Sequence, residues 1–130
     1  MEEIIMQKSM PVIALRGLVV MPDMMLHFDL NREKSIKAVE VALEEKSEIF
    51  LVSQKKAEID APKYEQIYEV GAIATVKQMH RRKDGLVSLF VEGLSRGKII
   101  QWEEENDKYL SAVIEEISSI DDLESEDEKA

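Results

Sequence analysis

The sequence VGAIATVKQMHRRKDGLVSLFV occupies residues 70–91 and decides the class of fold. In its first part, residues 70–77, the even-numbered positions hold valine or alanine, whereas the odd-numbered positions hold glycine, isoleucine, threonine or lysine. This alternation has the period of two with which a β-strand directs side chains to its opposite faces. Asp84 and Gly85 form a dipeptide typical of short hairpin turns, and a second apolar run follows at residues 86–91. The pattern therefore predicts two antiparallel strands joined by a tight turn.

Outward from this hairpin, short apolar or alternating runs predict further strands on both sides. They lie at residues 10–15, 18–21, 25–30, 49–52, 99–102 and 109–117. A tight bend at Arg16 and Gly17 separates the first two runs, and Pro22 prevents the second from continuing as a central strand. The run at residues 25–30 alternates, which predicts a strand with one buried face and with His27 on the other face.

Only one segment has the spacing of an amphipathic helix. Asn31 is a suitable N-cap for it. Apolar residues then recur at helical intervals, at Ile36, Val39 and Leu43, and the pattern ends near Lys46. One helix among about seven strands predicts a fold that is mainly β with one α-helix, an α+β domain with a partly closed β-sheet.

The composition is that of one globular domain. A chain of 130 residues can bury a core without disulfides, and it contains no cysteine to form them. Six acidic residues against one lysine give residues 118–130 half of the net charge of −10. We therefore predict a β-rich domain at residues 1–117, followed at residues 118–130 by an acidic linker or chain end.

The charge and the amino terminus restrict the partners and the location. An acidic domain repels nucleic-acid phosphates and anionic membranes, so neither is expected as the main ligand. The first residues are acidic where a signal peptide is basic, and no apolar run reaches the roughly 20 residues needed to cross a bilayer. We therefore expect a cytoplasmic protein that does not bind membranes.

No arrangement of residues typical of catalysis is found. The two histidines, His27 and His80, lie on different predicted elements and have no acid at metal-ligand spacing on a shared helix. Residues 93–98 are superficially similar to a phosphate-binding loop, but only three residues separate the glycines and Ile99 follows the lysine. We predict a bend between two strands there, and we expect no catalytic residue, cofactor or metal.

One candidate binding feature is a group of methionines. Met21, Met24 and Met25 lie within five residues of one another, near Leu18, in a short segment rich in turns. Flexible thioethers suit a surface that must accept many shapes. The alternative is that they fill gaps in a β-rich core. On the first interpretation, the four residues are candidates for binding substrate.

A second candidate is a basic cluster at the predicted hairpin tip, which includes Arg81, Arg82 and Lys83. Such a patch can contact an acidic or phosphate-rich partner. The alternative is a solvated turn that protects a sheet edge from aggregation. No aromatic residue is interleaved with the cluster, which argues against nucleic acid as the partner.

Four segments lie in the order expected of one family. They are MPVIALRGLVVMP at residues 10–22, NREKSI at 31–36, YEVGAIA at 68–74 and VEGLSR at 91–96. Together they resemble the amino-terminal domain of the ATP-dependent Lon protease over nearly the whole folded body. The chain departs from the family pattern at Met21, where phenylalanine is frequent, at Asp23, where glycine is frequent, and at Asn31, where glycine commonly precedes the arginine.

The resemblance implies a non-catalytic, β-rich, partly closed and barrel-like domain around one helix, which selects unfolded or damaged proteins for degradation. The family's ATPase module and its serine and lysine protease dyad lie downstream, outside this chain, so the implied parent is an ATP-dependent serine endopeptidase. Expected partners are unfolded or damaged protein substrates and other subunits of the parent. Two alternatives stay open: a module for subunit assembly in the same protease, and a freestanding binding protein of the Lon-domain type.

Overall fold

Six β-strands and one α-helix are present in the part of the chain that the computed structural model describes, residues 7–16, 20–59 and 62–117. In chain order the strands are β1 (Gln7–Leu15), β2 (Met25–Leu30), β3 (Ile49–Ser53), β4 (Val70–Arg81), β5 (Val87–Trp102) and β6 (Ser111–Ile117). The helix α1 (Glu33–Glu45) lies between β2 and β3, and a short 3₁₀-helix (Tyr64–Gln66) precedes β4. The predicted class, mainly β with one α-helix, is confirmed.

Five of the strands form a closed ring. Neighbouring strands pair in the order β5–β4–β3–β1–β6, and β6 pairs back onto β5. The β1–β3 pair is parallel, whereas the other pairs are antiparallel. β2 lies outside the ring and pairs with residues 87–92 of β5, while β6 pairs with residues 96–102 of the same strand. A short stretch of β5 between the two therefore has an edge that neither strand occupies.

β5 is one continuous strand of 16 residues. The sequence pattern predicted two strands with a bend at residues 93–98, and that prediction is wrong. The strand continues because its pairing with β4 skips Leu94, which forms a β-bulge. Because of this extra residue, odd-numbered residues after the bulge lie on the opposite face of the sheet from odd-numbered residues before it. Val91 therefore packs on the side of α1, whereas Ile99 packs inside the ring.

Two cores of buried side chains lie on opposite faces of the sheet. One core is inside the ring and contains residues from all five ring strands, among them Val12, Phe50 and Ile114. The other lies between the outer face of the sheet and α1, which contributes Val39 and Ala42. Full burial of a side chain of this kind contributes about 1.5–3 kcal/mol, so the helix is held mainly by its apolar face.

The ring of Phe50 is fully buried and determines where glycine is needed in the neighbouring strands. A Cβ atom on Gly97 would lie 3.1 Å from Phe50 Cε1 and 2.7 Å from a methyl group of Ile114. A Cβ atom on Gly71 would lie 3.0 Å from Phe50 Cζ and 2.4 Å from the carbonyl oxygen of Leu51. Both glycines therefore make room for the core of the ring.

Two local predictions need correction. Asn31 is not the N-cap of α1, because Arg32 takes that position with an extended backbone and no side-chain cap. Of the predicted strand at residues 18–21, the first two residues lie outside the described part of the chain, and Val20 and Met21 are not in a strand because a turn begins at Met21. The predicted linker at residues 118–130 also lies outside the described residues.

Candidate functional site

The methionine segment forms a tight turn ahead of β2. The Met24 amide donates a hydrogen bond to the Met21 carbonyl (3.2 Å), which closes a four-residue turn with Pro22 and Asp23 at its centre. Asp23 has a φ of 67°, in the left-handed region. Proline at the second position and a positive φ at the third are features of a type II turn. Since glycine adopts this conformation without strain, Asp23 occupies a position that glycine would suit better.

Gly93 in β5 holds this turn against the sheet. Its carbonyl accepts a hydrogen bond from the Asp23 amide (2.9 Å), and its own amide donates to the Met24 carbonyl (2.8 Å). The approach is so close that a Cβ atom on Gly93 would lie 2.3 Å from the Met21 carbonyl oxygen. The turn therefore occupies the edge of β5 between β2 and β6, and glycine in β5 is what permits the contact.

The side chains of the turn are exposed although its backbone is fixed. Met21, Met24 and Met25 are 46%, 38% and 53% exposed, and none of them belongs to either core. We call these three residues the Met surface. Val20, directly before them, is buried in the core beside α1 and anchors the segment. The fourth residue predicted for this site, Leu18, lies outside the described residues.

The Met surface continues along the face of β2 and β5 that points away from α1. Met25 and His27 lie on the same exposed face of β2, and the His27 ring stacks on Phe90 with centroids 4.3 Å apart. Next to Met25, Glu92 forms an ion pair with Lys77 (3.2 Å). Met25 thus lies on the same face as a pair of stacked rings, with an ion pair beside it. Sequence reasoning did not single out Phe90, because its position opposite His27 follows only from the strand register.

The basic residues at the tip of the β4–β5 hairpin are tied to the body of the domain. Arg81 forms an ion pair with Glu40 of α1, and Arg82 pairs with Asp29 of β2 (2.9 Å). Lys83 is exposed at the tip. Two of the three residues predicted as a contact patch thus hold the hairpin against α1 and β2, and a role of the patch in binding a partner stays a prediction.

The carboxylate of Glu103 serves the fold. The pKa of Glu103 is held below its usual range because the hydroxyls of Ser111 and Ser9 donate hydrogen bonds to its carboxylate. These bonds join the ends of β1 and β6. In residues 7–16, 20–59 and 62–117, no group of three or more His, Asp or Glu side chains could hold a metal ion. Over the same ranges, no helix combines the length and apolar character required to cross a membrane.

Comparisons with known proteins agree on one family. A family model described as the ATP-dependent protease La (LON) substrate-binding domain matches residues 9–130. A Lon protease of Clostridioides difficile (strain 630) is 48% identical over 121 residues, which cover 92% of this chain and 15% of that protein. Lon protease 1 of Bacillus subtilis (strain 168) is 39% identical over 123 residues, which cover 95% of this chain and 16% of that protein. The chain thus spans only a small part of the length of these curated relatives.

Solved structures have the same fold. The N-terminal domain of a Mycobacterium avium complex Lon protease matches with a TM-score of 0.69 at 20% identity, over 86% of this chain and 56% of that one. A Lon N-terminal domain protein from Xanthomonas campestris matches with a TM-score of 0.65 at 13% identity, over 85% of this chain and 60% of that one. The resemblance drawn from the sequence segments is confirmed. Since the family model matches nearly the whole chain, this chain belongs to the family of Lon protease substrate-binding domains.

Proposed function

We propose that this domain recognises unfolded or damaged proteins through the Met surface and so selects substrates for an ATP-dependent Lon protease. The observation that carries the proposal is that three large thioether side chains are exposed on a backbone fixed to β5. Leu18 is included as a further candidate from its place in the sequence. The domain supplies no catalytic residue, and the ATPase and serine endopeptidase activities belong to other parts of the parent protein.

Methionine has the properties that a surface for many substrates needs. Its unbranched, polarizable side chain can repack against apolar segments of different shape. Because the backbone beneath is already held by Gly93, binding orders only side chains on the domain's side, which limits the entropy lost. A flexible substrate still loses entropy on binding, so each contact is weak, and several copies of the domain in one assembly raise the avidity.

A second candidate function, assembly of the parent protease from its subunits, is favoured by another set of exposed apolar residues. Tyr68, Val70 and Ile100 are 51%, 41% and 45% exposed. They lie at the far end of the β4–β5 pair, where the Ile99 amide donates to the Glu69 carbonyl (2.8 Å). A molecular mass that increases with protein concentration would support assembly if replacement of these residues abolishes the increase.

We also propose that residues 118–130 connect this domain to the next part of the parent protein, and that the protein works in the cytoplasm. The much greater length of the curated relatives supports the first statement. The absence of cysteine from the sequence supports the second, because a protein without disulfides suits a reducing compartment.

Fluorescence anisotropy of one labelled model protein, used once in its native form and once permanently unfolded, tests substrate recognition. The chain should bind the unfolded form saturably and should not bind the native form. A variant with Met21→Ser, Met24→Ser and Met25→Ser should bind at least about tenfold more weakly, because each change removes roughly 1 kcal/mol of apolar contact. Its unfolding transition should match that of the parent chain, since the three side chains lie outside both cores.

The matched control carries Val70→Ser and Ile100→Ser, which remove similarly exposed apolar side chains at the other end of the β4–β5 pair. It should bind the unfolded protein like the parent chain. An equal loss in both variants would mean that recognition is not localised to the Met surface. If the domain binds neither form at high micromolar concentration and its molecular mass increases with concentration, subunit assembly is a better account of its function than substrate recognition.

A further inference from the structure

β2 is the last strand of its sheet, and one of its edges pairs with no other strand in the described part of the chain. Its six residues pair only with β5, in an unbroken register from Met25 opposite Glu92 to Leu30 opposite Val87. An unpaired edge presents a row of backbone amides and carbonyls to any extended chain that approaches it. We call this side of the strand the β2 edge.

The ladder with β5 decides which backbone groups face the β2 edge. The Gly93 amide donates to the Met24 carbonyl, so these two residues occupy a hydrogen-bonded position. Such positions alternate with non-hydrogen-bonded ones, whose amides and carbonyls point away from the partner strand. In the register of β2 with β5, the residues of the second kind are Met25, His27 and Asp29. No backbone hydrogen bond from a described residue reaches their outward amides and carbonyls.

A free edge of β4 provides a contrast. β3 pairs with residues 72–74 of β4, so the same side of residues 75–81 carries no described strand. The pairing of β4 with β5 skips Lys77, which forms a β-bulge. Bulges and lysines are features by which proteins keep a sheet edge from pairing with another chain. The edge of β4 is therefore protected.

The β2 edge lacks these protections. The strand contains no bulge, no lysine and no proline. Its one charged residue, Asp29, lies near the end and is already bound by Arg82 and by the Ser88 hydroxyl, each at 2.9 Å. Residues 28–30 also line a cleft of about 200 Å³, so there is space beside the end of the strand.

We propose that an extended segment of an unfolded protein adds to the β2 edge as a further strand, next to the Met surface. The proposal rests on the proposed function, since the ligand is the same class of protein, and it specifies how the backbone of the substrate is held. The amides and carbonyls of Met25, His27 and Asp29 pair with those of the segment. Every second side chain of the segment then lies beside Met25 and His27, on the face that points away from α1.

Strand addition suits a surface that must accept many sequences. Main-chain hydrogen bonds provide affinity that does not depend on the side chains of the ligand. An unfolded protein offers unpaired backbone along its whole length, whereas a native protein has already paired most of its own. A second copy of this chain is a poorer occupant, because both copies carry a net negative charge.

Amide hydrogen exchange, followed by NMR of the isotope-labelled chain, tests the β2 edge directly. In the free chain the amides of Met25, His27 and Asp29 should exchange at least about tenfold faster than those of Leu26 and Phe28, which face β5. Saturation with the permanently unfolded model protein should slow the first set at least about tenfold. Slow exchange in the free chain would overturn the proposal, because the edge would already be paired, and so would unchanged exchange in the complex.

Two isomeric peptides separate backbone pairing from apolar contact. Both are acetylated, amidated heptapeptides of alternating valine and serine with a lysine added at each end. One carries N-methyl groups on the central serine and the valine after it, whereas the other carries the same two methyl groups on side chains, as threonine and isoleucine. Adjacent amides point to opposite edges of a strand, so the N-methyl isomer cannot pair fully on either edge. The side-chain isomer should bind at least about tenfold more tightly, and equal affinities would overturn the proposal.

Two variants at one position test the same bonds from the side of the domain. His27→Pro removes the central donor of the β2 edge, and proline is tolerated in an edge strand where the amide faces solvent. His27→Thr removes the same ring but keeps the amide. The Pro variant should bind the side-chain isomer at least about fivefold more weakly than the Thr variant, and equal binding would contradict strand addition. The exchange and peptide measurements do not depend on the folding of either variant.

Failure of this proposal is distinguishable from failure of the proposed function. If the variant with three Met→Ser changes loses binding to the unfolded model protein while the two isomers bind equally, the Met surface recognises substrate without strand addition. A molecular mass that doubles with concentration, together with slow exchange of the edge amides in the absence of peptide, would overturn the proposal in favour of a second copy of this chain.

Discussion

The turn at residues 21–24 and the turn at residues 82–85 are held against the domain in opposite ways. In the first, backbone groups make the contacts, through two hydrogen bonds to Gly93, and the methionine side chains stay exposed. In the second, side chains make the contacts, since Arg81 pairs with α1 and Arg82 pairs with β2 and with Asp84 of its own turn (2.8 Å).

The difference separates side chains that hold the fold from side chains that are available for a partner. An arginine that binds a partner must first give up its ion pair, which offsets part of the binding energy. A methionine on a turn held by its backbone gives up only contact with water. For this reason the Met surface is the better candidate for binding substrate, and the basic tip is the better candidate for stabilising the hairpin.

The largest effect should come from the glycine that holds the first turn. Gly93→Ala should lower the free energy of unfolding by about 3 kcal/mol, because the new Cβ meets the Met21 carbonyl oxygen and the backbone must move. Gly85→Ala is the matched change at the second turn. A Cβ there has no atom within 4 Å, so only the positive φ of 92° opposes it, at a cost of about 1 kcal/mol.

Urea denaturation of the two variants gives both values. Equal losses would mean that the close contact between Gly93 and the turn is not what fixes the Met surface. Binding of the unfolded model protein should also weaken in Gly93→Ala, because the turn is displaced, and should not change in Gly85→Ala.

A smaller effect of opposite sign is expected at the centre of the first turn. Asp23→Gly should raise the free energy of unfolding by about 0.5–1 kcal/mol, because it removes the strain of a φ of 67° on a residue with a side chain. Lys46→Gly, at the C-cap of α1 with a φ of 54°, should raise the free energy of unfolding by a similar amount for the same reason. Stabilisation by Lys46→Gly alone, measured by thermal unfolding, would show that the Asp23 side chain itself stabilises its turn.

The smallest effect should come from the ion pairs of the second turn. Arg82→Ala should lower the free energy of unfolding by about 0.5 kcal/mol at low salt, since both of its partners are partly exposed. Screening should reduce this cost in about 1 M salt. A cost above that of Gly93→Ala, or one that salt does not change, would contradict the contrast between the two turns.

Some features of the fold could be predicted because neighbours along the chain encode them. The hairpin at residues 70–91 is present as β4 and the start of β5, and the helix predicted at residues 31–46 is present at Glu33–Glu45. The continuity of β5 could not be predicted, because Gly93 and Gly97 have the local pattern of a break. Glycine is needed at these two positions because Met21 approaches Gly93 and Phe50 approaches Gly97 closely. Those residues lie 72 and 47 positions away in the sequence.

The candidate site shows the same division. The cluster of Met21, Met24 and Met25 is visible in the sequence, but their exposure depends on how β2 pairs with β5. The stacking of Phe90 on His27 follows from that register and has no local signal. In the same way, the basic residues at the hairpin tip are evident from the sequence, whereas their partners on α1 and β2 are not.

The amino-acid sequence by itself determined the class of the fold, the helix, the hairpin and the family, because periodicity, turn residues and ordered segments are properties of near neighbours in the chain. The tertiary structure alone decided that five strands close into a ring and that Gly93 fixes the methionine turn. These features depend on distances between residues far apart in the sequence, and such distances are set by strand register and packing in three dimensions.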